Sequence, residues 1–121
     1  MAKKILIVDD SAFIRMTLRD ILTESGYEVV SEAENGAQAI IKFKEFQPDL
    51  VTMDVVMAGE TGLQALKEII SLDRSAKVLM VSAMSKQAMV IDALQAGAKG
   101  FLIKPFESKA VIAEIKRILK D

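Results

Sequence analysis

The stretch Leu50-Val51-Thr52-Met53-Asp54 is a short apolar run that ends in a carboxylate. Its pattern is continuous rather than alternating, which is typical of a strand buried on both faces of a parallel sheet. Similar short runs, most of them rich in β-branched residues, occur four more times, at residues 5–8, 28–30, 78–81 and 101–103. The sequence therefore predicts five strands.

Segments with helical spacing separate these runs. In the first, Ser11 is a plausible N-cap and Gly26 is well placed to end the helix. Five apolar residues of this segment are expected to share its core face: Phe13, Ile14, Leu18, Ile21 and Leu22. The other helices are predicted at about residues 37–46, 62–72, 86–96 and 108–120, and Pro48 disfavours helix at Gln47.

Alternation of strand and helix with short links favours parallel strands covered by helices on both faces. Five such units are too few for a closed eight-stranded barrel. We therefore predict an α/β fold, an open doubly wound five-stranded parallel sheet with five helices. Residues 1–121 are expected to form a single domain.

Composition excludes several classes of function. The chain has 121 residues and a formal net charge of −1, so no basic field favours nucleic acid or an anionic membrane as a partner. It contains no cysteine and no histidine, which excludes disulfides, thiolate chemistry and a Ser-His-Asp triad. The first apolar run is too short for a signal peptide or a membrane span, so we expect a cytoplasmic protein.

Polar residues follow four of the predicted strands: Asp9-Asp10, Asp54, Ser82 and Lys104-Pro105. Ligands of open parallel sheets bind outside the carboxyl ends of the strands, so these side chains are expected to share one edge. Taken singly, each residue could mark only the end of a strand or the cap of a helix. Together, three carboxylates raise one another's pKa unless a cation compensates. Oxygen ligands favour Mg²⁺; Ca²⁺ is the rival, although the chain has no EF-hand loop.

These residues can be given roles in phosphoryl transfer. Asp54, on a more central strand, is the natural nucleophile toward phosphorus. Mg²⁺ held by Asp9 and Asp10 would neutralise one phosphoryl oxygen, Lys104 a second, and the hydroxyl of Ser82 could donate to a third. Lys104 could instead merely pair with the acidic cluster.

Four motifs then reveal a family resemblance. They are Val8-Asp9-Asp10-Ser11, Met53-Asp54-Val55-Val56-Met57 with Gly62 following, Val81-Ser82-Ala83, and Phe101-Leu102-Ile103-Lys104-Pro105-Phe106. In this order and at strand ends, they make the whole chain resemble the receiver domain of two-component response regulators, most closely the single-domain regulators of chemotaxis. The resemblance implies a flavodoxin-like fold with strand order 2-1-3-4-5.

The resemblance also implies how the site works. Asp54 would accept a phosphoryl group from a phosphohistidine of a partner histidine kinase, with Mg²⁺ bound by Asp9, Asp10, Asp54 and the carbonyl of Val56. The Lys104–Pro105 peptide bond would be cis, and Ser82 and Phe101 would be the switch pair. Such a protein is a signalling switch that catalyses only its own phosphorylation and dephosphorylation.

Two departures from the family pattern concern the loop around the site. Ala58 stands where the family usually has proline, which frees the loop backbone. The positions that flank the site, Val56 and Met84, are apolar and cannot orient an attacking water. We therefore expect slow self-dephosphorylation unless a phosphatase assists.

Output is expected to be a binding event of a monomer. If Ala88 and Ile91 face the sheet, a second apolar stripe on the fourth helix is turned outward, although the helix could instead be buried more deeply. The expected docking surface on the fourth helix, fifth strand and fifth helix comprises Val90, Leu94, Ala98, Phe101 and Lys116, the last within a basic rim formed with Lys109, Arg117 and Lys120. The resemblance implies a flagellar-motor switch protein as one partner.

Alternatives remain from other classes. A phosphorelay intermediate would use the same acceptor, and a degenerate receiver would act by contact alone. A phosphatase of the haloacid-dehalogenase type needs a second Asp two residues after the nucleophile, where this chain has Val56. A flavodoxin-like flavin carrier needs a phosphate loop after the first strand, where Asp9-Asp10 would repel phosphate.

Overall fold

The computed structural model describes residues 2–57, 60–83 and 87–120. Its central sheet contains five strands: β1 Lys4–Val8, β2 Glu28–Ala33, β3 Leu50–Asp54, β4 Val78–Ser82 and β5 Gly100–Ile103. Neighbouring strands pair in parallel in the order β2-β1-β3-β4-β5, so the expected fold and strand order are confirmed. A short antiparallel pair, Val56–Met57 with Glu60–Thr61, follows β3 and was not predicted.

Five helices connect and follow the strands: α1 Ala12–Glu24, α2 Gly36–Phe46, α3 Gly62–Leu72, α4 Gln87–Gln95 and α5 Ser108–Leu119. The expected N-cap is present, since the Ser11 hydroxyl accepts a hydrogen bond from the amide of Ile14 at 3.2 Å. Gly26 follows α1 with a φ of 89°, a conformation that favours glycine. Among the described residues, none of these helices combines the length and apolar character needed to cross a bilayer.

The helices cover the sheet in two layers. α1 and α5 bury Leu18, Leu22 and Ile115 against one face of the sheet. α2, α3 and α4 bury Phe43, Leu66 and other side chains against the opposite face. Burial on both faces explains why the central strands read as continuous apolar runs.

The predicted core face of α1 was wrong at one residue. Leu18 and Leu22 are buried and Ile14 is partly buried, but the side chain of Phe13 is 68% exposed. Phe13 precedes Leu18 by five residues, which turns it about 140° away from Leu18 at 100° per residue. Ile14, four residues before Leu18, stays on the buried side.

Thr52 is a polar residue in the middle of β3. Its side chain is buried, and its Oγ1 atom has no hydrogen-bond partner among the described residues. In the sheet it lies between Ile7 of β1 and Leu79 of β4, which both belong to the apolar layer beneath α1 and α5. A buried hydroxyl without a partner costs about 1–3 kcal/mol in folding free energy.

Replacing Thr52 with valine, which keeps the branched shape and removes the hydroxyl, should raise the free energy of unfolding by about 1 kcal/mol. Urea denaturation measures the change. The matched control is Thr17→Val in α1, because the Thr17 hydroxyl donates to the carbonyl of Phe13 at 2.9 Å. An equal gain in both variants, or a loss in Thr52→Val, would contradict a cost from the unpaired hydroxyl.

Candidate functional site

Three carboxylates meet at the carboxyl edge of the sheet. Asp9 and Asp10 directly follow β1, and Asp54 ends the adjacent strand β3, where Val8 pairs with Met53. One oxygen of each carboxylate lies within 4.8 Å of an oxygen of the other two. Asp9 and Asp54 are buried, whereas Asp10 is exposed. This donor set contains only oxygen, and such donors fit a hard divalent cation such as Mg²⁺.

Lys104 brings positive charge to the two buried carboxylates. Its Nζ atom lies 2.8 Å from Asp9 Oδ2 and 3.4 Å from Asp54 Oδ2. Its main-chain amide donates to the carbonyl of Ser82 at 2.8 Å, which continues the pairing of β4 and β5 by one residue. The lysine is therefore fixed at both its backbone and its ammonium group.

The surroundings of Asp54 disfavour its negative charge. Burial raises the pKa of this carboxyl above its ordinary value, and the nearby charge of Asp9 raises the pKa further. Lys104 and the amide of Val56, which donates to Asp54 Oδ1 at 3.3 Å, act in the opposite direction. The site thus holds more negative charge than Lys104 balances, and additional positive charge is favoured there.

Gly62 allows α3 to begin against the backbone of the candidate acceptor. Its amide donates to the carbonyl of Val55 at 2.6 Å. A Cβ atom on this residue would lie 1.9 Å from the carbonyl oxygen of Asp54, a distance that no side chain tolerates. Glycine at this position follows from close packing against Asp54.

Gly62→Ala should lower the free energy of unfolding by about 3 kcal/mol, because the methyl group must displace backbone rather than a flexible side chain. Gly26→Ala is the control, since its Cβ would meet no atom within 4 Å. Gly26→Ala should lower the free energy of unfolding by only about 1 kcal/mol, because alanine is strained in the left-handed backbone conformation of this position. Thermal and urea unfolding measure both variants, and equal losses would argue against the steric explanation.

Ser82 and Phe101 lie on the same face of the sheet. Met80 pairs with Phe101, and Ser82, two residues after Met80, pairs with Ile103. Ser82 is buried at the end of β4, while Phe101 is partly buried against the α2, α3 and α4 layer. The two residues therefore lie on adjacent strands and on the same face, two register positions apart.

Three further predictions concern the loops at this edge. The Lys104–Pro105 peptide bond is cis, the conformation that the resemblance implies. The side chain of Val56 is 49% exposed beside Asp54. Ala58 and Met84 lie outside the described residues.

The predicted rotation of α4 was wrong. Ala93 is buried, and Met89 and Ala96 are partly buried against the core, so this line faces the sheet. Ile91 is turned about 200° from Ala93 and is 43% exposed; Ala88 is exposed as well. Both stripes of the helix are apolar, which is why the sequence did not distinguish them.

The exposed residues of α4 and β5 are only partly those predicted for the docking surface. Leu94 is 46% exposed and Val90 is partly exposed, as expected. Ala98 is buried and cannot contribute to the surface. Ile91 and Ile103 take its place as exposed apolar residues. The sequence does not indicate that Ile103 is exposed, because an isoleucine at the end of a continuous apolar run is equally typical of a buried strand residue.

The predicted basic rim is divided between two sides of α5. Lys116 lines a groove with Ser25, at the end of α1. The residue on the β5 side is Arg117, whose Nη2 atom donates to the carbonyl of Lys99 at 2.8 Å and contacts Glu114. Lys116 and Arg117 are about 100° apart around the helix, so they face different neighbours.

Comparison with known proteins identifies relatives along nearly the whole chain. The Response regulator receiver domain family matches residues 5–116. The chemotaxis protein CheY of Bacillus subtilis is 57% identical over 119 residues, covering 98% of this chain and 99% of that protein. CheY of Thermotoga maritima is 51% identical and covers 99% of this chain and 100% of its own length.

Solved structures share the fold as well. A chain in the crystal structure of the CheX-CheY-BeF3-Mg+2 complex from Borrelia burgdorferi superposes with a TM-score of 0.93 at 36% identity, covering 96% of this chain and 88% of that chain. A CheY-like receiver domain protein from Methanospirillum hungatei gives a TM-score of 0.92 at 28% identity, covering 99% of this chain and 95% of that chain.

Proposed function

The chain belongs to the response regulator receiver domain family, and from this premise we propose that it accepts a phosphoryl group on Asp54 from a partner histidine kinase. The observation that carries the proposal is the buried pair of Asp54 and Asp9, bridged by the ammonium of Lys104 at 3.4 and 2.8 Å. Asp10 completes the acidic cluster. Residues 1–121 act as one receiver domain in this proposal.

The transfer step is an exchange of bonds at phosphorus. A carboxylate oxygen of Asp54 bonds to phosphorus while the bond from phosphorus to the donor's imidazole nitrogen breaks, and the imidazole leaves with the electron pair. Lys104 is placed to hold a phosphoryl oxygen as a point charge, and Ser82 to donate its hydroxyl to another. Mg²⁺ bound by Asp9, Asp10, Asp54 and the carbonyl of Val56 would supply the remaining positive charge for the phosphoryl oxygens.

The same residues argue against the rival chemistries. Val56 occupies the position at which a phosphatase of the haloacid-dehalogenase type carries its acid, and its aliphatic side chain cannot protonate a leaving group. The carboxylates of Asp9 and Asp10 lie where a flavin carrier would bind phosphate. In this proposal the chain is a signalling switch that catalyses only its own phosphorylation and dephosphorylation.

Phosphorylation would change the surface of α4, β5 and α5. Ser82 would turn its hydroxyl to the phosphoryl oxygen, and the ring of Phe101, on the same face of the sheet, would move inward into the space left. The exposed apolar residues Ile91, Leu94 and Ile103 supply a patch that a partner can cover. Close relatives named for chemotaxis support a flagellar-motor switch protein as that partner.

We also propose a cellular setting for this switch. We place the chain in the cytoplasm as a monomer, beside its kinase and without a nucleic-acid or membrane partner. Because CheX occurs together with CheY in the Borrelia burgdorferi structure, a CheX-like protein is a further candidate partner. A phosphatase that removes the phosphoryl group is also a partner in this proposal.

Asp54→Asn should abolish phosphorylation by acetyl phosphate and Mg²⁺, because an amide oxygen is not a competent nucleophile toward phosphorus. Intact-protein mass spectrometry measures the gain of a phosphoryl group. Asp73→Asn is the control, since the Asp73 carboxylate is exposed and accepts hydrogen bonds from Ser75, far from the cluster in sequence. Retained labelling of the Asp54→Asn protein would refute Asp54 as the acceptor.

Leu94→Ala should weaken binding of the phosphorylated protein to the cognate motor switch protein about tenfold, as truncation of a buried interface anchor does. Titration calorimetry measures the affinity. Ile41→Ala is the matched control, because Ile41 is 62% exposed on α2 and lies outside the α4 and β5 surface. Equal affinities of the Leu94→Ala and unaltered proteins would remove α4 from the docking surface.

A further inference from the structure

Arg15 connects α1 to the turn that carries the first two carboxylates. From the second turn of the helix its guanidinium reaches back, and Nη1 donates to the main-chain carbonyl of Asp9 at 2.7 Å. Its Nε donates to Glu32 Oε1 of β2 at 3.1 Å. The Arg15 side chain is only 15% exposed, so both contacts are sheltered from water.

The carbonyl that Arg15 binds belongs to the peptide that joins Asp9 to Asp10. This peptide is planar, so fixing its carbonyl also fixes the direction in which the chain enters Asp10. The amide of Asp9 is held separately, by the carbonyl of Ala33 at 3.0 Å, and Asp9 Oδ1 accepts from the amide of Ser11 at 2.9 Å. Arg15 thus supplies the contact that links the backbone between the two carboxylates to α1.

Glu32 is held in turn by a second arginine. Arg19, one turn along α1, donates from Nε to Glu32 Oε2 at 2.7 Å, and its side chain is 44% exposed. The carboxylate of Glu32 therefore lies between two guanidinium groups. Among the described residues, only that of Arg15 also contacts the turn that carries Asp9 and Asp10. The rigid fork of arginine allows one side chain to bind both the carbonyl and the carboxylate.

We propose that Arg15 is a positioning residue for the divalent cation: it fixes the peptide between Asp9 and Asp10, and Glu32 orients its guanidinium. This role rests on the proposed function, since it requires a cation at the acidic cluster. Loss of the guanidinium leaves the carbonyl of Asp9 without this donor, and the two carboxylates lose their fixed relative direction. Groups that orient ligands in this way typically contribute tenfold or more to metal affinity.

The test measures Mg²⁺ affinity of the full chain directly, without phosphorylation. Amide NMR signals of Asp10 and Ser11 are followed during titration with MgCl₂. Arg15→Met, which keeps the aliphatic stem, should bind Mg²⁺ about tenfold more weakly. At saturating Mg²⁺ its rate of phosphorylation by acetyl phosphate should return close to that of the unaltered protein, because the acceptor and Lys104 are unchanged.

Two variants complete the design. Arg19→Met removes the other contact to Glu32 without touching Asp9, and its Mg²⁺ affinity should match that of the unaltered protein. Glu32→Gln keeps an oxygen for Arg15 and should give a loss smaller than that of Arg15→Met. Equal affinities of folded Arg15→Met and Arg19→Met would overturn the proposal. If Arg15→Met does not fold, equal affinities of Glu32→Gln and Arg19→Met overturn it instead.

Failure of the proposed function gives a different result. If the unaltered protein shows no Mg²⁺ affinity, the cation site itself is refuted, and the positioning of a cation by Arg15 falls with it. If the unaltered protein binds Mg²⁺ and Arg15→Met binds equally well, the cation site stands and only the role of Arg15 is refuted.

Discussion

The ion pair between Lys104 and Asp9 is the contact on which the arrangement of the site depends. Its partners are 95 residues apart in sequence, and they belong to the ends of β5 and β1, with β3 and β4 between them in the sheet. It can form only when these four strands are assembled in register. The correct sheet and the candidate site are therefore completed together, and an error in strand order would separate the lysine from both buried carboxylates.

The acidic cluster keeps two charged carboxylates, Asp9 and Asp54, in buried positions. Burial and the proximity of Asp9 both disfavour the ionised form of Asp54, and Lys104 offsets only part of that cost. Carboxylates placed in this way are expensive in folding free energy unless a cation is present. Gly62 adds a second constraint, because α3 approaches the backbone of Asp54 too closely for a side chain. The buried charge is a requirement of the site, whereas Gly62 is a requirement of packing next to the site.

Much of this structure could be predicted from the sequence. Strands buried on both faces give continuous apolar runs, and the residue after each run lies at one edge, so Asp9, Asp54 and Lys104 could be brought together without coordinates. The rotation of α4 could not be predicted, because the stripes of Ile91 and Ala93 are both apolar and only packing chooses between them. The sequence likewise could not predict which of Lys116 and Arg117 on α5 faces β5, because tertiary structure determines the neighbours on each side of the helix.

Arg15 illustrates a different limit. An arginine early in an amphipathic helix is usually a solvated surface residue. The sequence pattern around Arg15 does not predict its contact with a main-chain carbonyl. That contact depends on the pairing of β1 with β2, which brings Glu32 beside α1. Polar residues whose partners are backbone atoms leave little trace in a sequence pattern.

The division of the helices between the two faces of the sheet has an evolutionary consequence. Arg15 and Glu32 approach the acidic edge from the α1 side, whereas Phe101 and the exposed residues of α4 lie with the other layer. In the function proposed above, the partner that binds α4 and β5 could therefore change during evolution while the residues of the acidic edge stay the same. Protein engineering could likewise change the exposed residues of α4 and β5 to bind a new partner without altering the residues around Asp54.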